Sequence, residues 1–176
     1  MIFIETELKG VCMIELEPIE DERGFFARTF CQDEFKRHGL NLNIVQCNLS
    51  YNRRKSTLRG MHYQAAPYGE AKLVGCIRGA LYDVVIDIRP NSKSFKQWIS
   101  VELTDENRRW VYIPEGFAHG FLTLRDHTEV FYQMSEFYRP EFSCGIRWND
   151  PALNIHWPLE VLVVSDRDRN YPDFIL

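Results

Sequence analysis

The central stretch of the chain, residues 73–135, constrains the fold most strongly, because short apolar segments alternate there with turn sequences. The first segment, LVGCIRGALYDVVIDIR at 73–89, is rich in β-branched and aromatic residues and has a possible turn at Gly79. Four shorter segments follow after turn-like sequences, at 97–103, 109–114, 119–124 and 129–135. Many short strands spaced in this way predict a mainly β fold, either a sandwich or a barrel.

The second half of segment 73–89 has a different composition on each of its two alternating faces. One face is uniformly apolar and consists of Tyr82, Val84, Ile86 and Ile88. The other face mixes acids with apolar residues and consists of Leu81, Asp83, Val85 and Asp87. Because successive side chains of a strand point to opposite faces, the mixed face is expected to line a pocket instead of a dry core.

Helix is expected to be sparse, with one or two turns at 32–40 that stop at Gly39, and segment 139–145 is expected to be a loop. The chain of 176 residues is 45% hydrophobic and 14% aromatic, which is enough for a single domain, 1–176, with a packed core. The N-terminal residues 2–4 offer an apolar strand that could pair across a two-fold axis.

Charge and cysteine content exclude several classes of protein. The net charge is −4, and the basic cluster at 53–55 is too short to indicate nucleic-acid binding. This cluster is better explained as a solvated loop, although it could meet a small anion such as a diphosphate. Five cysteines without CxxC spacing argue against a disulfide framework or structural zinc. With neither a signal peptide nor an apolar run of membrane-spanning length, the sequence predicts a cytoplasmic protein that does not bind membranes.

Segment 60–74, GMHYQAAPYGEAKLV, places His62, Glu70 and Lys72 close together between apolar runs. His62 could be a metal ligand, a catalytic base or a packed core histidine. The segment PEGFAHGF at 114–121 has a tight turn that ends at His119. Together with segment 60–74 it resembles the two motifs of the cupin superfamily, which has a jelly-roll fold. Metal-binding cupins carry H-x-H in the first motif, whereas this chain has Gln64 at the second position. A carboxamide is a poor substitute for imidazole on a transition metal, so no metal site is expected.

Nearly the whole chain resembles the dTDP-4-dehydrorhamnose 3,5-epimerase family. The segments that carry the resemblance, in order, are DERGFFARTF, QCNLS, LRGMHYQ, EAKLV, RGALYDVVIDIR, IPEGFAHGF, GIRWNDP and SDRDRNYP. The family implies a cytoplasmic jelly-roll homodimer without metal or cofactor. Its members invert carbons 3 and 5 of a nucleotide-linked 4-keto-6-deoxyhexose.

The resemblance also implies catalytic roles, and the chemistry suits the residue types. Carbons 3 and 5 flank a ketone, so their inversion needs a base near neutrality, a donor to the enolate oxygen and an acid on the opposite ring face. By resemblance, His62 is the base and Lys72 lies beside the C4 oxygen. Asp168 holds the other nitrogen of the histidine, with Asp166 as its nearest competitor, and Tyr132 is the acid.

The substrate-binding residues are likewise implied by resemblance. The positions that hold the nucleotide and the diphosphate are matched by Arg23, Phe26, Gln46, Asn48 and Arg59. His119 is also assigned to substrate binding, and it forms a supporting pair with Asp83 beside the catalytic base. Tyr138 is a second tyrosine of the pocket. Arg28 stands where rhamnose-pathway enzymes commonly have glutamate, on the nucleotide side of the pocket. The enzyme could therefore accept a different nucleotide base or a different sugar.

Several alternatives remain open at the level of sequence. Lys72 could be an ordinary strand-end charge, Tyr132 a half-buried strand residue and Tyr138 a loop-packing residue. The chain could also be a 3-epimerase that acts at one carbon, a sugar-nucleotide ketoisomerase, or a non-catalytic cupin that only binds a sugar or nucleotide.

Overall fold

The computed structural model describes residues 1–41 and 43–174, and most of the regular structure is β-strand. The N-terminal elements are β1 (Ile2–Glu5), β2 (Cys12–Glu15), β3 (Ile19–Asp21), β4 (Gly24–Phe26) and helix α1 (Gln32–Arg37). The central strands are β5 (Gln46–Asn52), β6 (Leu58–Gln64), β7 (Lys72–Arg78), β8 (Ala80–Asp87), β9 (Trp98–Thr104), β10 (Arg109–Ile113), β11 (Phe117–Thr123) and β12 (Thr128–Met134). A short 3₁₀ turn (Pro140–Phe142), β13 (Ser143–Gly145) and helix α2 (Asp166–Arg169) follow.

Two antiparallel sheets form the body of the molecule. One has the strand order β1-β2-β10-β7-β12-β5 and the other β13-β6-β11-β8-β9, while β3 and β4 form a separate hairpin. Side chains from both sheets meet in a common apolar interior that includes Val74, Val130, Leu81 and Phe121. This arrangement confirms the predicted mainly β jelly roll with few short helices.

The turn predicted at Gly79 separates β7 from β8, as the sequence indicates. Gly79 has a φ of +83°, and a Cβ there would lie 2.6 Å from the Thr128 hydroxyl oxygen. Both observations require glycine, since other residues rarely adopt this conformation and none would fit. The two strands can therefore belong to different sheets.

The prediction that the mixed face of β8 lines a pocket instead of a dry core is wrong in part, because both faces of β8 are buried and none of its residues lines the cavity described below. Leu81 and Val85 pack in the interior between the sheets, and Asp83 on the same face is fully buried. On the opposite face, Val84 and Ile86 pack in a second apolar cluster that includes residues of the C-terminal segment. The mixed face of β8 therefore turns toward the interior, where the polar residues described below also lie.

The prediction of a loop at 139–145 is wrong in part. Ser143–Gly145 forms β13, which pairs with β6, so that Ser143 lies opposite Gln64. Helix α2, for which the sequence reading made no prediction, begins after Ser165, whose side chain accepts a hydrogen bond of 3.1 Å from the backbone N–H of Asp168. Such a cap satisfies an N–H group that has no partner within the helix. No helix among the described residues is long and apolar enough to cross a membrane.

Candidate active site

A cavity of about 360 Å³ opens between the two sheets. Its wall is formed by five strands and consists of Leu49, Ser50, Tyr51, Arg59, His62, Lys72, Val74, His119, Phe121, Val130 and Tyr132. Five of the residues singled out in the sequence, Arg59, His62, Lys72, His119 and Tyr132, thus meet in one place. Strands β6 and β11 each supply one of the two histidines.

A glycine pair holds β6 and β11 unusually close beside the cavity. A Cβ on Gly60, whose φ is +146°, would lie 2.5 Å from the Cα of Gly120. The absence of a side chain therefore allows the two backbones to touch. Next to this contact His62 pairs in register with His119, and the register then shifts before Phe121. The close contact places both imidazoles on the cavity wall.

His62 is bound to the C-terminal helix by Asp168. The distance between His62 Nε2 and Asp168 Oδ1 is 2.7 Å, and the second carboxylate oxygen accepts the Gly60 N–H at 3.3 Å. Asp168 is buried, whereas Asp166 is exposed and is the first residue of α2. The structure thus places Asp168, and not the competing Asp166, against the histidine.

The environment of Asp168 favours its ionised form. Burial opposes ionisation most strongly, but the hydrogen bonds with His62, Gly60 and Ser165 together hold the pKa of Asp168 below its usual value. An ionised carboxylate only accepts hydrogen bonds, so His62 Nε2 donates to it. In the neutral imidazole the proton then resides on Nε2, and Nδ1 carries the lone pair that can take a proton.

Lys72 forms a buried ion pair with Glu70. Its Nζ lies 2.7 Å from Glu70 Oε1, and the two side chains are only 10% and 5% exposed. Lys72 also lines the cavity, so its ammonium is held at the wall instead of extending into solvent. This position does not fit an ordinary strand-end charge.

His119 is buried beside Asp83, with 3.3 Å between His119 Nδ1 and Asp83 Oδ1. Burial lowers the pKa of His119, and although Asp83 opposes this effect, the positive charge of nearby Lys72 adds to it. His119 is therefore neutral at neutral pH. With Nδ1–H directed at Asp83, its Nε2 can accept a hydrogen bond from a substrate hydroxyl, and the ring adds no second cation to the cavity.

The two tyrosines lie in different environments. Burial raises the pKa of Tyr132, and the Glu70 carboxylate raises it further, so its phenol stays protonated well above neutral pH. Tyr138 is largely exposed, and the neighbouring Arg167 guanidinium lowers the pKa of its hydroxyl. Of these two tyrosines, Tyr132 lines the cavity and Tyr138 does not.

The remaining predicted binding residues lie away from the cavity wall. Arg23 and Phe26 belong to the exposed β3–β4 hairpin region, where Arg23 pairs with Asp21, and Arg28 pairs with Glu34 at 2.6 Å. Gln46 and Asn48 lie on the edge strand β5 and are hydrogen-bonded to each other at 3.1 Å. These five residues are not brought to His62 within one copy of the chain.

Sequence reasoning gave no role to three residues that the structure places around the site. These residues are Glu70, Arg167 and Tyr171. The ring of Tyr171 packs edge-on against His62 with 6.1 Å between centroids, and Arg167 donates to the Ser143 hydroxyl at 2.9 Å. Both belong to the quoted segment SDRDRNYP, so the resemblance marked the region but not these side chains.

The amide of Gln64 has a structural position in this fold. It donates to the carbonyls of Tyr68 at 3.0 Å and Phe137 at 3.2 Å, and accepts the Arg139 N–H at 2.6 Å. Gln64 therefore joins two loops. Across residues 1–41 and 43–174, no group of three or more histidine, cysteine, aspartate or glutamate side chains is arranged to hold a metal ion.

The antiparallel jelly roll with a polar cavity between its sheets is the architecture of the cupins, and this cavity has the groups that acid–base isomerases require. The family model described as dTDP-4-dehydrorhamnose 3,5-epimerase matches residues 5–175, so the chain belongs to this family of isomerases.

Known relatives agree with this assignment. A dTDP-4-dehydrorhamnose 3,5-epimerase of Methanothermobacter thermautotrophicus is 48% identical over 96% of this chain and 92% of its own length. The crystal structure of the Bacillus anthracis enzyme with TDP and PPi bound has a TM-score of 0.95, 38% identity and 98% coverage of both chains. A 3'-monoepimerase of Streptomyces bikiniensis in complex with dTDP-quinovose has a TM-score of 0.90 and 32% identity, and the match covers 97% of this chain and 86% of that one.

Proposed function

We propose that the chain epimerises a nucleotide-linked 4-keto-6-deoxyhexose at C3 and C5, converting dTDP-4-dehydro-6-deoxyglucose to dTDP-4-dehydrorhamnose. The observation that carries this proposal is the meeting of the His62–Asp168 pair, Lys72 and Tyr132 at one cavity. The names of the relatives support the same substrate class. A protein that only binds a sugar has no need of this combination of base, ammonium and phenol.

Each inversion moves one proton off a carbon and another proton back onto it. His62 takes the proton from C3 or C5, and the electron pair of the broken C–H bond forms an enolate with the C4 carbonyl. The Lys72 ammonium stabilises the enolate oxygen, which is the largest single contribution that a site of this kind makes. Tyr132 then donates its hydroxyl proton to the same carbon from the opposite face, and solvent exchange restores both residues. Only protons move, so we assign no cofactor and no metal.

Arg59 is the cavity residue best suited to the diphosphate. Its Nε donates to Asn52 Oδ1 at 2.8 Å, which fixes the plane of the guanidinium at the cavity wall. A planar guanidinium can bind two phosphate oxygens at once. Neutral His119, whose Nδ1–H is directed at Asp83, accepts a further hydrogen bond from a sugar hydroxyl at Nε2.

The nucleotide site is completed by a second copy of the chain. Arg23 and Phe26 do not reach the cavity of their own copy, and Phe26 is 70% exposed on its hairpin. The edge strand β1 is unpaired on one side among the described residues, and its Ile2 is 49% exposed. An exposed edge and exposed aromatic rings both favour pairing with another chain.

We therefore expect a homodimer in solution. Light scattering at micromolar concentration should give twice the chain mass of 20.8 kDa. Phe26→Ser should weaken nucleotide binding, because the ring would be lost from the neighbouring site. Phe137→Ser removes another exposed ring, which lies outside the hairpin and is 55% exposed, and it should leave nucleotide binding unchanged. A monomeric wild-type chain would contradict the expectation.

The cytoplasm is the compartment we propose for this activity. All five cysteines are free, including exposed Cys47, which fits a reducing environment. Residues 1–176 act as one functional domain in this proposal, since the family model extends over almost all of them.

The structural similarity to a 3'-monoepimerase favours one second candidate, epimerisation at C3 alone. The same base and enolate would serve both reactions. What differs is whether Tyr132 can also reach C5, which depends on how the sugar ring lies in the cavity.

Deuterium incorporation from D₂O into dTDP-4-dehydro-6-deoxyglucose tests these proposals together. We expect deuterium at both C3 and C5, with a product inverted at both carbons. In Tyr132→Phe, where the base remains but the acid is lost, we expect C3 to keep exchanging while inversion at C5 falls about tenfold further than exchange at C3. Tyr82→Phe is the matched control, since Tyr82 packs against Trp157 on the outer face of β8.

Each outcome of this experiment has a distinct meaning. Deuterium at C3 only would favour the 3-epimerase, and no deuterium at either carbon would reject an epimerase acting on this sugar. Equal losses of exchange and of inversion in Tyr132→Phe would make Tyr132 a residue that positions the substrate instead of the acid.

A further inference from the structure

Glu70 is the one charged residue of segment 60–74 to which the proposed reaction gives no role. It lies two positions before Lys72, and in an extended chain residues i and i+2 point to the same face. Its carboxylate accordingly reaches the ammonium at 2.7 Å, and the side chain is only 5% exposed. The second oxygen, Oε2, is buried and has no hydrogen-bond partner within the described part of the chain.

The backbone around this ion pair is firmly held. The Ala71 N–H donates to the Ser135 hydroxyl at 2.7 Å, and the Ser135 N–H donates to the Ala71 carbonyl at 3.0 Å. Lys72 itself lies between two neighbouring strands, opposite Ile113 of β10 and Met134 of β12. Glu70 therefore approaches Lys72 from a fixed point and not from a mobile loop.

A lysine side chain has four rotatable bonds and three equivalent donors, so it does not keep one position without a partner. Burying a carboxylate with one oxygen unpaired is unfavourable, and a purely structural role would be served as well by an apolar residue. We propose that Glu70 is a positioning residue that fixes the Lys72 ammonium at the point of the cavity wall where the substrate carbonyl oxygen becomes an enolate. This inference rests on the proposed epimerase function and extends it.

The charge of Glu70 also acts on the acid of the reaction. The ionisable groups that share the cavity wall with Lys72 are His62 and Arg59 of β6, His119 of β11 and Tyr132 of β12. The charge of Glu70 acts on Tyr132 and on Tyr138 of the loop after β12. After burial, Glu70 is the largest cause of the raised pKa of Tyr132. One carboxylate thus holds the ammonium in place and adds to the effect of burial on the pKa of the phenol.

Glu70→Gln tests this inference, because glutamine keeps the size and an acceptor oxygen but removes the charge. We expect kcat to fall about tenfold while KM changes little, since the ammonium loses its fixed position. We also expect the alkaline limb of the kcat profile to move to lower pH. Removing the negative charge makes the Tyr132 phenolate less unfavourable, so the pKa of Tyr132 falls. A residue that only stabilises the fold would leave this limb unmoved.

The mobility of Lys72 provides a readout that does not depend on activity. In protein labelled with ¹³C at the lysine ε-carbon, relaxation should show a restricted Lys72 side chain in the wild type and a mobile one in Glu70→Gln. Glu129→Gln is the matched control, because Glu129 pairs with Arg78 at 3.7 Å on the surface of the same sheet. It should leave kcat, the pH profile and Lys72 unchanged.

The proposal would be overturned by a folded Glu70→Gln variant with wild-type kcat, or by one in which Lys72 remains as restricted as in the wild type. If Glu70→Gln does not fold, Glu70→Asp replaces it, since it retains the charge but withdraws it by one methylene. Wild-type values of kcat and of Lys72 mobility in Glu70→Asp would then reject the proposal. A wild-type chain that does not turn over dTDP-4-dehydro-6-deoxyglucose would instead reject the proposed function, and the relaxation experiment would still judge the role of Glu70.

Discussion

His62→Asn should keep the fold and the binding of the nucleotide but lose proton exchange at C3 and C5 together, by about 10²–10⁴-fold. Asparagine is smaller than histidine but still polar, and its amide cannot accept a proton at neutral pH. Asparagine is too short to reach the point from which imidazole Nε2 donates to Asp168 at 2.7 Å, but the carboxylate keeps the Gly60 N–H at 3.3 Å as a donor. Nucleotide binding and thermal unfolding of the variant separate any loss of stability from the loss of catalysis.

Loss at both carbons distinguishes a shared base from a residue that serves only one of them. Deuterium incorporation at each carbon, measured by NMR in one reaction, gives both rates. His156→Asn is the control, because His156 packs edge-on against Trp98, away from the cavity. Normal exchange in His62→Asn would remove the base assignment, and loss at one carbon alone would require a second base.

The strands that the sequence predicts are those with a strong local pattern. The alternation along β8 predicts the strand, but both of its faces are buried, so the difference in composition between them did not locate the cavity. By contrast, β13 has three residues, too few for any periodicity, and exists because β6 offers it an edge. Helix α2, four residues long, likewise depends on a cap and on packing that no short window of sequence reveals.

The site shows the same division between local and long-range information. His62 and His119 lie in recognisable motifs and do meet across β6 and β11. Asp166 and Asp168 occupy nearly identical local sequence, so only the return of the C-terminal segment over 106 positions decides which of them contacts His62. The hairpin residue Arg23 needs a second copy of the chain to meet the substrate in our proposal, and no property of a single copy could have placed it. The contact of Glu70 with Lys72, however, follows from their i, i+2 spacing.

Lys72→Gln should lower kcat by about 10²–10³-fold, which corresponds to about 2.7–4 kcal/mol and is typical of removing one donor to a developing oxyanion. Glutamine is long enough to donate a hydrogen bond to Glu70, but it supplies no positive charge for the enolate oxygen. The charge matters more in this cavity than in water, because the Lys72 side chain is only 10% exposed and water screens it weakly. Both C3 and C5 should be affected, since the two inversions share one enolate oxygen.

A second cause of such a loss has to be separated from this one. Removing the ammonium leaves the Glu70 carboxylate buried without its counter-charge, which typically destabilises a protein by about 3–5 kcal/mol and could distort the cavity. The double variant Glu70→Gln/Lys72→Gln is neutral at both positions and should recover thermal stability. If the ammonium is needed for the enolate, the double variant will remain as slow as Lys72→Gln. Recovery of kcat together with stability would show instead that the uncompensated carboxylate caused the loss, and Lys72 would then be a structural partner of Glu70 and not the group that stabilises the enolate.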